Sequence, residues 1–232
     1  MKKLLSLILS AVLIFSVFPN MDVEAADVKI QAMKAYADIV QQYLTAEKLG
    51  EDAFNNPKFQ DVNPKFIGLN DDETIYCIKD INNDGIPELF MDEFDICTYH
   101  GGKVVHLGVA NDLGERVRYT LCKNGIIEVT QGAAMYDYKV YYKLPKNKGK
   151  FKEVCYLELG VGGGDHPKVS YYTKVKNKTK QISEEKYNKL YKKYHKPVKM
   201  TFYDADSKAV DNLRNGVVSY PGQKKKIVKD GF

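Results

Sequence analysis

Between Thr74 and Val175 the chain alternates short apolar and aromatic runs with turn-forming residues, and no other feature restricts its architecture as much. Strand-like runs fall at 74–79, 88–94, 103–107, 116–122, 126–131, 136–144, 151–159 and 169–175. Asn83-Asp84-Gly85, His100-Gly101-Gly102, Lys123-Asn124-Gly125 and the 145–149 stretch separate neighbouring runs. Gaps this short join antiparallel strands, because a parallel pair needs a crossover of a dozen residues or more. Asn124-Gly125 is the sharpest signal, since both residues tolerate the positive φ of a tight hairpin. The 17 Tyr and absence of Trp suit broad, half-exposed sheet faces.

Helical periodicity brackets this region. Val28, Ala32, Ala35, Tyr36, Ile39 and Tyr43 predict an amphipathic helix over 28–44 with Asp27 as N-cap. Ser183, followed by Glu184 and Glu185, caps a second helix whose apolar face is Tyr187, Leu190, Tyr191 and Tyr194, and Pro197 ends it. A loop region at 51–71, a short strand at 198–202, a turn or helix at 207–213 and a basic tail complete the chain. The expected fold is α+β, an antiparallel sheet of hairpins with both helices packed on it. A partial β-propeller-like all-β arrangement is the alternative, disfavoured because no repeat of fixed period recurs.

Met1-Lys2-Lys3 followed by the apolar run 4–18 predicts a secretory signal peptide over 1–25, with cleavage after Ala25 or Ala26. The apolar run is shorter than the roughly 20 residues of a membrane helix, so no integral membrane span is expected. Residues 26–215 are read as one domain and 216–232 as a basic C-terminal tail. The net charge of +5 is spread over Lys-rich stretches at 143–152, 174–180 and 224–229. No aromatic-basic reading motif accompanies them, so nucleic acid is not an expected partner. Weak attraction to an anionic cell wall fits better.

Cys77, Cys97, Cys122 and Cys155 allow three disulfide pairings, yet each lies in a strand-like apolar context where a buried thiol is equally at home. Their spacing suits no zinc ribbon, and His100, His106 and His195 have no partner at ligand or triad spacing.

The most specific stretch is IKDINNDGIPELF, 78–90. Asp80, Asn82 and Asp84 occupy loop positions 1, 3 and 5, the Ile86 carbonyl position 7 and Glu88 position 9, with Gly85 at the turn. Calcium takes six to eight oxygens at roughly 2.3–2.6 Å, and this spacing supplies most of them. Position 12, where an EF-hand places its bidentate acid, is Met91, and the flanks are strand-like. The loop resembles instead the strand-loop-strand calcium loops of FG-GAP and VCBS-type repeats. Together with ICTYHGGKVVHLG and SYYTKVKNKTKQISEEKYNKLY, the chain is similar to a group of secreted Gram-positive bacterial proteins without an assigned activity. That resemblance implies secretion and calcium. Asn82 stands where an Asp is more usual and weakens the site, toward dissociation constants of roughly 0.1–1 mM. The same residues also make an ordinary hairpin turn, with Asp80 capping amides and no metal present.

Glu88, Asp92, Glu93 and Asp95 form an acidic cluster, and Asp165-His166 follows a glycine-rich run at 160–164. These define the competing expectation, a secreted hydrolase. The glycine run is followed by His166-Pro167 rather than a helix with Lys and a hydroxyl, which excludes a phosphate loop. Asp204, Asp206 and Asp211 fit a helix start, because Lys208 occupies the place where a second calcium loop needs an oxygen. The leading expectation is a secreted, non-enzymatic protein with a structural Ca2+, binding an extracellular protein or cell-wall ligand. An inhibitor or adhesin presenting tyrosines on a sheet face is a third.

Overall fold

The computed structural model describes residues 20–53, 56, 59, 74–91, 95–107, 117–133, 136–162 and 168–229. Residues 1–19 of the expected 1–25 leader, most of the 51–71 loop, Asp92, Glu93, Asp165 and His166 lie outside them. The fold is α+β, with two six-stranded antiparallel sheets, neither closed into a barrel. One sheet has the order β12(Lys225–Val228), β11(Met200–Asp204), β1(Ile75–Lys79), β2(Glu88–Met91), β3(Asp95–His100), β4(Lys103–His106). We call it sheet A. Sheet B runs β10(Lys178–Ile182), β9(Val169–Val175), β8(Lys152–Val161), β7(Tyr136–Lys143), β6(Ile126–Ala133), β5(Val117–Cys122).

Strand alternation sorts the side chains into layers. From sheet A, Tyr76, Leu89, Met91 and Cys97 face a cluster with helix α1(Asn20–Leu49), while Cys77, Phe90, Ile96 and Phe202 face the opposite way. The latter meet Tyr119, Leu121, Ile127 and Val129 of sheet B. Sheet B's other face carries Cys122, Ile126, Tyr141 and Leu157 against helix α2(Glu184–Tyr194). The order of layers is therefore helix, sheet A, sheet B, helix, and burial of apolar area between each pair is the main driving term.

Helix α1 extends upstream of the expected N-cap Asp27 to at least Asn20, because Met21 to Ala26 contains no helix breaker. Its apolar stripe, Ala32, Met33, Tyr36, Val40 and Tyr43, is buried. Gly50, at φ 56°, follows its end. Two phenols pin the stripe to sheet A. Tyr36 Oη donates to the Pro87 carbonyl at 2.8 Å and Tyr43 Oη to Asp95 Oδ2 at 2.9 Å. Helix α3(Ser207–Arg214) packs Ala209, Val210 and Leu213 into the same cluster, and Asp206 caps it by accepting from the Ala209 amide at 2.6 Å. Ser183 caps α2 as expected.

Three strands differ from the sequence expectation. Within the 88–94 run Glu88–Met91 forms β2, and Asp95–His100, not expected as a strand, forms β3 with the pairing Met91↔Asp95. The 178–182 segment forms β10 through a turn with positive φ at Lys176 and Asn177, a position for which Lys is a poor signal. Lys225–Val228, expected inside a basic tail, is paired to β11 as an edge strand. Among the described residues no helix is long and apolar enough to cross a membrane.

Candidate functional site

Lys79 pairs with Glu88, so the 80–87 segment is the closed end of the β1–β2 hairpin. Positive φ at Asn83 (57°) and Gly85 (89°) folds it tightly enough for its side chains to reach its own amides. Asp80 Oδ1 accepts from the Asn83 amide at 2.7 Å and Oδ2 from the Gly85 amide at 3.0 Å. Asn82 Oδ1 accepts from the Asp84 amide at 2.9 Å, and Asp84 Oδ1 from the Ile86 amide at 3.0 Å. Each oxygen retains a second lone-pair direction. The donors thus stand in calcium-loop order, but among the described residues the Asp80, Asp84 and Glu88 oxygens are not gathered within 4.8 Å of one another.

Glu88 shares the strand face of Phe90 and points between the sheets, fully buried at 0 % exposure. The Ile81 amide donates to its Oε2 at 3.0 Å and Thr98 Oγ1 to its Oε1 at 3.1 Å. Burial pushes its carboxyl up to about 8; Asp84 and Asp80 add to the rise, and the Ile81 and Thr98 hydrogen bonds oppose it. Among the described residues no Lys, Arg or His forms an ion pair with it.

The loop also touches sheet B. The Asn147 amide, in the β7–β8 turn, donates to Asp84 Oδ2 at 3.0 Å. Gly125, in the β5–β6 turn, lies so close to the loop that a Cβ there would sit 1.7 Å from the Ile81 carbonyl oxygen. An open cavity of about 240 Å³ beside the loop is lined by Asp84, Ile86, Tyr99, His100 and Asn147, among others, but not by Glu88. The loop is the place where sheet A's β1–β2 hairpin meets two hairpin ends of sheet B.

Two further groups of metal-ligand type are present, and sequence spacing pointed to neither. Asp95 and Cys97 alternate onto one face of β3, and Cys97 pairs with His106 across the hairpin closed by Gly101-Gly102. Cys97 Sγ lies 3.4 Å from His106 Nδ1 and 3.8 Å from Asp95 Oδ2, and His106 Nδ1 is 3.0 Å from that oxygen. The second group is Cys122, Glu128 and His195, with His195 Nδ1 2.6 Å from Glu128 Oε2. His106 and His195, without partners at sequence spacing, gain them through strand pairing and through the end of α2. Among the described residues these are the groups of three whose ligand atoms approach within 4.8 Å.

None of the four cysteines is in a disulfide. Cys77 faces between the sheets, Cys97 faces α1, and Cys122 and Cys155 face α2. That last pair is separated by β6 and β7, three spacings of about 4.8 Å, beyond disulfide reach. Burial raises the Cys77 thiol to about 12 and the Cys155 thiol to about 11, so neither is a nucleophile at neutral pH. No protein-family model, no curated protein and no solved structure matches the chain.

Proposed function

We propose that the protein is a secreted, non-enzymatic binding module in which the 80–88 loop takes up Ca2+ as a structural clasp between the two sheets. The observation that carries this reading is the position of Glu88. A buried carboxylate without a cationic partner, lying under a loop with Asp80 and Asp84, costs several kcal/mol when ionised, and a divalent cation offsets that cost. Asp80, Asn82, Asp84, the Ile86 carbonyl and Glu88 are oxygen donors of the hard type calcium takes. Binding requires the loop to contract around the ion, and Asp84, already held by the Asn147 amide, carries that contraction to sheet B.

Thermal unfolding in EDTA and in rising calcium tests the clasp. At ten times its dissociation constant the ion adds about 1.4 kcal/mol, a rise of about 3–5 °C for a chain of this size. Asp84→Ala removes a ligand and the tie to Asn147, lowers the starting midpoint and leaves it flat with calcium. A parent midpoint indifferent to calcium removes the ion from the function.

The binding face is assigned to an aromatic row on sheet B. Tyr136 and Tyr138 stack at 6.1 Å with 12° between their planes, Tyr138 meets Tyr156 at 6.2 Å, and Lys174 Nζ lies 4.1 Å from the Tyr156 ring. Tyr136 is 48 % exposed. Flat, amphipathic rings held by a rigid sheet suit an envelope glycan or an extracellular protein. A Tyr136→Ala, Tyr138→Ala double variant should lose pull-down on insoluble cell wall while keeping its calcium response; retained pull-down rejects this face.

A further inference from the structure

We propose that Cys122, Glu128 and His195 form a second cation site, separate from the calcium loop and selective for a zinc-class divalent ion. The three residues come from different places in the chain. The Asn124-Gly125 hairpin pairs Cys122 with Ile126 and Thr120 with Glu128, which puts Cys122 and Glu128 diagonally adjacent on the face under α2. His195 ends α2, its amide donating to the Tyr191 carbonyl. The following segment is stitched to β5 beside Cys122. The Lys123 amide donates to the Lys196 carbonyl and the Val198 amide to the Leu121 carbonyl, both at 2.9 Å, around a Cys122↔Pro197 bridge. The imidazole is thereby fixed against the strand pair rather than left on a free helix end.

The distances are those of a site needing small adjustment. Tetrahedral zinc, with bonds of about 2.3 Å to sulfur and about 2.0–2.2 Å to nitrogen and oxygen, sets donors roughly 3.3–3.6 Å apart. Cys122 Sγ is 4.0 Å from Glu128 Oε2, and His195 Nδ1 is 2.6 Å from the same oxygen. The thiol closes in by a few tenths of an ångström and the imidazole withdraws by under about 1 Å. Cys122 and Glu128 are buried, whereas the His195 side chain is 27 % exposed, which leaves the ion an entry past the ring. Thr130 Oγ1 donates to the other carboxylate oxygen, Oε1, at 3.2 Å and orients it.

An independent observation points to a missing ligand. Tyr141 stands directly across from Glu128 in the β6–β7 register, on the same face, with 0 % exposure. Its hydroxyl makes no hydrogen bond. A buried hydroxyl left unpaired costs about 1–3 kcal/mol, so such a group is normally satisfied by something. A water on the metal's fourth position gives it an acceptor. Thiolate and imidazole together favour zinc-class ions and disfavour the hard cation of the 80–88 loop. On coordination the Cys122 thiol proton leaves to solvent and the imidazole proton moves from Nδ1 to Nε2, freeing Nδ1 for the metal.

Chelator-treated full chain titrated with Co2+ alone, then competed with Zn2+, tests this. We expect one equivalent of cobalt to produce a thiolate-to-cobalt band, displaced by zinc. Cys122→Ser abolishes the band, and Tyr141→Phe weakens zinc binding by about 10–100-fold. His195→Gln, altering a partly exposed ring, weakens it at least as much and substitutes as the test if Cys122→Ser does not fold. Cys97→Ser, at the Asp95–Cys97–His106 group, and Asp84→Ala, in the calcium loop, keep the band, so this site and the clasp fail separately. Absence of the band in the parent, its survival in Cys122→Ser or unchanged affinity in His195→Gln overturns the proposal.

Discussion

Glu88 offers the most quantitative test of the clasp. Its carboxyl is raised from 4.5 to about 8 in the folded, metal-free protein. At about 1.4 kcal/mol per pH unit, this corresponds to at most about 5 kcal/mol. The sign follows from linkage. Below pH 4.5 the group is protonated in both folded and unfolded chains, and the fold keeps its full stability. As pH rises from 4.5 to about 8 the unfolded chain ionises first, and the fold loses up to that amount. Glu88→Gln retains an acceptor for the Ile81 amide and a partner for Thr98 but does not titrate. Denaturant unfolding in EDTA at pH 5, 6, 7 and 8 should therefore show the parent losing several kcal/mol relative to Glu88→Gln across the series. Saturating calcium, by holding the ionised form, should flatten the parent's slope and leave the variant unchanged. Parallel pH profiles for parent and variant in EDTA would refute the claim that an uncompensated carboxylate lies between the sheets.

Gly125→Ala places a methyl group against the Ile81 carbonyl at a φ of 66° and should cost about 3 kcal/mol or more in denaturant unfolding; a cost under about 0.5 kcal/mol would mean the hairpin does not abut the loop. Reductant should leave the thermal midpoint unchanged, and thiol titration of the denatured, unreduced chain should count all of Cys77, Cys97, Cys122 and Cys155. A lower count, or a midpoint that falls on reduction, contradicts the separation of the four thiols among three faces.

The sequence carried the local structure well wherever one residue type had one physical use. Asn124 and Gly125 adopt the positive φ expected of them, at 62° and 66°, as do Gly101 and Gly102. The Lys-rich stretches at 174–180 and 224–229 contain or adjoin the edge strands β10 and β12, where lysines discourage pairing with other chains. β3 was illegible because Asp92, Glu93 and Asp95 make an acidic run that hides a strand boundary. The Cys122–Glu128 proximity was latent in the register of the Asn-Gly hairpin. The proximity of Cys97 to Asp95 follows from alternation once β3 is known.

Short-range chemistry, set within a few residues, was decided by the sequence alone: hairpin turns, the Ser183 cap, the order of oxygen donors from Asp80 to Glu88, and the α+β class. Contacts between residues distant in the chain were decided by the tertiary structure. His195 reaches Glu128 only because α2 packs on sheet B, Asp84 meets Asn147 only because two hairpin ends abut, and Glu88 loses water only because one sheet covers the other. Strand periodicity says which side chains share a face, but not what will lie against that face, and burial, charge compensation and ligand geometry all depend on the latter.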